Sequence, residues 1–153
     1  GHGASDTLYG SPQDGEFTVL INETNIQELL YGKRCFILAC NSYEFCENYN
    51  LTSFIGFGNM PTGIVDVKIA MEADTTFPSL EKEDIDTYDA ALVSLLIRAF
   101  NVAWLTDMEK LYSKIRLYAN VEIGECLINK PCKMFREVAD LLQDFKNDCT
   151  YCP

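Results

Sequence analysis

Seven cysteines in 153 residues, at positions 35, 40, 46, 126, 132, 149 and 152, constrain this chain more than any other feature. Such thiol density is rare in reducing compartments and common in secreted or lumenal domains, where cysteines close into disulfides. Two N-x-S/T triplets, "NET" at Asn22 and "NLT" at Asn50, are acceptors for N-linked glycan and point to the same compartment. The expectation is a secreted or lumenal glycoprotein. Its staples would be drawn from Cys35, Cys40, Cys46, Cys126, Cys132, Cys149 and Cys152, with one thiol left over for a disulfide-linked dimer.

The terminal "KNDCTYCP" places Cys149 and Cys152 in a C-x-x-C spacing. A redox pair needs a lowered thiol pKa, which the N-terminus of a helix supplies. Here a helical pattern precedes the pair, nothing helical follows it, and Asp148 beside Cys149 opposes a thiolate. A four-thiolate zinc site from Cys126, Cys132, Cys149 and Cys152 is disfavoured by the loose C-x5-C spacing and by the oxidising compartment. Two structural anchors with different partners are therefore expected, and no metal or other cofactor.

The length suits one domain of residues 16–153. Residues 1–15 are read as a flexible N-terminus or cloning remnant, so the single histidine, His2, carries no argument, and any leader is taken as removed. Twelve basic against 23 acidic residues give a formal charge of −11, which repels nucleic acid and anionic lipid. The richest apolar run, "AALVSLLIRAFNVAWL" at 90–105, is interrupted by Arg98 and Asn101, so no membrane insertion is expected. No hydrolase constellation, phosphate loop or HExxH-like motif is present, and the acidic stretch at 72–89 lacks the spacing of a calcium loop. Catalytic residues are therefore not assigned.

Apolar patterning divides the chain. "EFTVLI" (16–21) and "IVDVKIAM" (64–71) predict strands, "RCFILAC" (34–40) a buried strand, and "SFIGFGNMPTG" (53–63) a turn. "ETNIQELLYG" (23–32) predicts a short helix with a Thr24/Gln27 capping box and Gly32 as its stop. From 83 to 119 the 3.6-residue period predicts two helices or one kinked helix, with Thr106 or Asp107 capping the second, and a last helix is predicted over 131–146 behind Pro131. The fold class is α+β, disulfide-stabilised, with a small sheet from the N-terminal half and amphipathic helices in the C-terminal half.

Residues 16–54, "EFTVLINETNIQELLYGKRCFILACNSYEFCENYNLTSF", resemble the opening of a thioredoxin or protein disulfide isomerase-type domain. The likeness rests on a strand, a helix start at Asn25-Ile26 and the apolar "CFILAC"; Cys46 then matches the second redox cysteine, Tyr43 the first, and Ser42 the preceding tryptophan. "NKPCKMF" is similar to the proline-then-strand element facing such a site, with Pro131 as the proline. The resemblance implies a degenerate thioredoxin-like α/β fold with a helical insertion, working either as a redox-inactive binding module or as a thiol-disulfide oxidoreductase. The residues alone favour a secreted, non-catalytic glycoprotein that binds another protein, as a cytokine-like ligand, decoy or immune effector does.

Overall fold

The structure, a computed structural model, describes residues 2–13, 16–60 and 80–153. Among these residues the chain is mixed α+β, with two three-stranded sheets and five helices. In order they are β1 (His2–Gly3), β2 (Leu8–Gln13), β3 (Glu16–Ile21), α1 (Ile26–Leu30), β4 (Cys35–Phe36), α2 (Ser42–Asn48), β5 (Phe54–Gly56), α3 (Lys82–Val102), α4 (Met108–Asn129), α5 (Phe135–Asp148) and β6 (Thr150–Cys152). The strand expected at 64–71 lies outside the described residues.

Two compact units divide the chain. The first gathers residues 1–60, 103–112 and 148–153, the second 61–102 and 113–147. Because the chain enters each unit more than once, no linker marks the division in the sequence.

In the first unit β1, β2 and β3 form an antiparallel meander, and β4, β5 and β6 a mixed sheet in that order. β4 and β5 run parallel, joined by α2 as the crossover; β6 returns antiparallel along the other side of β5. Cys35, Phe54 and Cys152 are opposite one another across this sheet, as are Phe36, Ile55 and Tyr151. Directly opposed residues share a face, so Cys35, Phe54 and Cys152 stand on one side and the aromatic-rich row on the other. The core beneath contains Leu8, Ile26, Ala39, Phe45, Leu51 and Phe54, together with Cys35 and Cys46.

Gly56 explains how closely α2 lies on β5. A Cβ built there would come 2.9 Å from both the Cα and the N of Tyr43, which are backbone atoms and cannot swing away. Ser42 completes the join: its buried hydroxyl donates to the Ile37 carbonyl at 2.8 Å and accepts from the Phe57 N–H at 2.9 Å. The segment expected to be a turn at 53–63 thus supplies the central strand of the second sheet. Three peptide units of Phe54–Gly56 are too short to register as a strand pattern beside two glycines.

Several boundaries also move. Only Cys35 and Phe36 of "RCFILAC" are strand. The capping box at Thr24 does not form: the N-cap of α1 is Asn25, and the Thr24 hydroxyl donates instead to the Asn22 Oδ1 at 2.7 Å. Gly32, at φ 70°, does end the turn after α1. Asp107 caps α4, its Oδ1 accepting from the Lys110 N–H at 3.1 Å. Pro131 is followed by a turn and then α5, not by a strand.

The largest correction concerns the staples. No disulfide joins Cys35, Cys40, Cys46, Cys126, Cys132, Cys149 or Cys152. Five of the seven, Cys35, Cys46, Cys126, Cys132 and Cys149, are buried, where a protonated thiol packs as a small apolar group. The tail is held by β6 pairing with β5 and by the Ser53 N–H donating to the Pro153 carbonyl at 3.2 Å. Strand hydrogen bonds therefore do what cross-links were expected to do.

Gly56→Ala is expected to lower unfolding free energy by about 1–3 kcal/mol, the range for overpacking a filled site. Gly124→Ala, in α4 where a Cβ meets nothing within 4 Å, is expected to raise it by about 0.5–1 kcal/mol through helix propensity. Denaturant unfolding of the two variants beside the parent checks both signs.

Candidate functional site

The cysteines form two local groups. In the first unit Cys46 projects from α2 into the core, fully buried, near enough to Cys35 and Cys152 to feel the charge of either. Burial first, and then those two neighbours, push its thiol up to about 12. Burial likewise raises Cys35, against the opposing charge of Lys33. Cys40, just ahead of α2, donates to the Met60 carbonyl at 2.9 Å. Cys35 and Cys46 are held protonated, the reverse of an activated nucleophile.

In the second unit Cys126, on the last turns of α4, donates to the Phe135 carbonyl at 3.1 Å. Cys132 is pushed up to about 11, by burial above all and by its hydrogen bond to Asp84. Asp84 is the polar centre of this region. One carboxylate oxygen accepts from the Glu81 N–H at 2.9 Å and the other from the Met134 N–H at 3.1 Å. Burial opposes its ionisation, but those two N–H groups, the Cys132 thiol and Lys133 together hold its carboxyl below the ordinary carboxylate range. One side chain thus ties the start of α3 to the turn before α5. The sequence offered Asp84 only as one of several acidic residues suited to a first turn; nothing local marked it as the one that would be buried.

A second polar link joins α3 to α4. Glu122, also buried, accepts at one carboxylate oxygen from the Ser94 hydroxyl at 2.7 Å and from Arg98 at 3.2 Å, while the Arg98 guanidinium sits 4.6 Å from the centre of the Tyr118 ring. Alongside lies a cavity of about 260 Å³ lined by Thr87, Ala91, Glu122, Cys126, Val138 and Leu142, among others. The Glu122 oxygen is already occupied by its neighbours, which makes it a structural acceptor more than a free base.

The outward surfaces of α3 and α4 are less polar than their positions require. On α3 Val93 and Ile97, four residues apart, are 57% and 56% exposed, and exposed Ala90 continues their row. On α4 Leu117 and Ile128 are 48% and 79% exposed, with half-exposed Val121 and Gly124 between them at spacings of four, three and four. Such spacing lays each row along one side of its helix.

Asn50 is exposed, in a left-handed turn at φ 51°; Asn22 is half-buried, its Oδ1 engaged by the N–H and hydroxyl of Thr24. Among the described residues no group of three or more His, Cys, Asp and Glu side chains is arranged to hold a metal, and no helix is long and apolar enough to cross a membrane. Comparison of the chain with protein-family models, curated proteins and solved structures returned no match.

Asp84→Asn is expected to reduce stability near neutral pH by about 1.5–3 kcal/mol, the usual weight of hydrogen bonds to a charged group. Because the folded carboxyl titrates below its unfolded value, the parent's advantage is full above about pH 4 and vanishes as pH falls through the folded pKa. Parallel denaturant titrations between neutral and acid pH would show the two stability curves converging.

Proposed function

We propose that the chain is a secreted or lumenal, non-catalytic glycoprotein that acts by binding another protein through the outward rows of α3 and α4. The observation that carries this reading is the pair of exposed apolar rows, Ala90, Val93 and Ile97 on one helix and Leu117, Val121 and Ile128 on the other. Large apolar side chains repeated along a helix mark a recognition surface more often than an ordinary solvated face. The partner is a protein surface with apolar side chains and a basic rim. Its charge follows from the formal −11 of this chain and from Glu83 and Asp86, which continue α3 toward its N-terminus.

The exposed Asn50 sequon supports the secretory setting. Buried, protonated thiols and the engaged Glu122 support a role without chemistry. A second reading, a redox-inactive thioredoxin-like module, is favoured by one observation, the parallel β4–α2–β5 crossover closed by an antiparallel edge strand.

Tagged chain is expected to bind intact cells saturably, in a manner competed by untagged chain and removed by mild trypsin treatment of the cells, as flow cytometry reads it. The double variant Val93→Asp/Ile97→Asp should keep its far-UV circular dichroism and lose at least tenfold in apparent affinity. Undiminished binding by that variant, or turnover in an insulin-reduction assay, would overturn the reading.

A further inference from the structure

We propose that the α2-facing side of the β4–β5–β6 sheet is a three-thiol oxidation site in which Cys46 is the shared partner of Cys35 and Cys152. The inference is independent of the binding reading above. By strand register Cys35 and Cys152 are both opposite Phe54, one on each side, and therefore share its face. Two strand spacings of about 4.8 Å separate their Cα atoms by roughly 9–10 Å. A disulfide tolerates at most about 7 Å, so Cys35 and Cys152 cannot bond to each other.

α2 covers that face, as the 2.9 Å approach to Gly56 and the ring contact between Tyr43 and Phe54 at 6.1 Å both require. Cys46 descends from α2 into the same core cluster, against which Cys152 also packs. It shares that core with both strand cysteines, senses the charge of each, and can bond to one at a time. The protonated state imposed by burial makes the closure slow at neutral pH and faster as pH rises. Half-buried Cys152, on the edge strand, is the point of entry; Cys35 and Cys46 are buried.

With glutathione disulfide as oxidant, the Cys152 thiolate attacks one of its sulfurs and displaces a glutathione thiolate, leaving a mixed disulfide. Cys46 then loses its proton and attacks the Cys152 sulfur, displacing the second glutathione thiolate. The protein gives up two electrons and two protons, and the oxidant becomes two glutathione thiols. Attack by Cys35 on Cys46 moves the bond inward and returns Cys152 as a thiol, with no net change of redox state.

The test uses the reduced 153-residue chain exposed to glutathione disulfide under native conditions, quenched by alkylation in acid and mapped by tandem mass spectrometry. Cleavage after Glu44 and Glu47 isolates Cys46 on its own short peptide. Every intramolecular bond within the trio is expected to include Cys46. Cys152→Ser should leave only the Cys35–Cys46 bond and slow its appearance at least tenfold. Cys46→Ala should abolish bonding within the trio, with Cys152 recovered as its glutathione adduct. A Cys35–Cys152 or Cys149–Cys152 bond in the folded chain, or Cys46 still reduced at full oxidation of the other two, would overturn the proposal. Should Cys46→Ala fail to fold, the parent and Cys152→Ser maps decide by themselves.

Discussion

The close seating of α2 on β5 is the constraint on which the first unit depends. It requires a glycine at 56, because no side chain fits between that strand and the Tyr43 backbone. It requires a small hydroxyl at 42, whose one oxygen serves both the Ile37 carbonyl and the Phe57 N–H. It also fixes which way the sheet faces, since the residues under α2 must be those of the Cys35, Phe54, Cys152 row. Without that seating the three cysteines would have no common environment.

The second unit solves a different problem. Long helices with apolar stripes slide and rotate unless something fixes their register, and here two buried carboxylates do so. Asp84 accepts from backbone N–H groups of two segments, and Glu122 accepts from two side chains of the neighbouring helix. Each lone carboxylate inside a protein is costly unless its oxygens are satisfied, which is why both carry more than one donor. Asp84, the group that makes the unit sensitive to acid, also helps make its helix arrangement specific.

Legibility in the sequence followed the length of each pattern. α3, α4 and α5 run 21, 22 and 14 residues, long enough for a 3.6-residue period to declare itself, and the break before Met108 was visible through Asp107. β5 and β6 run three residues each and are defined by partners far away in the chain, so neither composition nor alternation could reveal them. The cysteines misled for a related reason. Their number spoke of staples, whereas the burial that decides their state depends on strand register, which no spacing of residues encodes. Asp84 and Glu122 were invisible in the same sense: a carboxylate on a helix looks alike from the sequence whether it meets water or two backbone donors.

The terminal C-x-x-C also reads differently once its geometry is known. Thr150–Cys152 is strand, so Cys152 joins the row facing α2 and Tyr151 points to the opposite side, toward Tyr112 at 6.0 Å between ring centroids. Cys149 lies before the strand and is buried. What distinguishes Cys152 from Cys149 is the strand register that sets it across from Phe54.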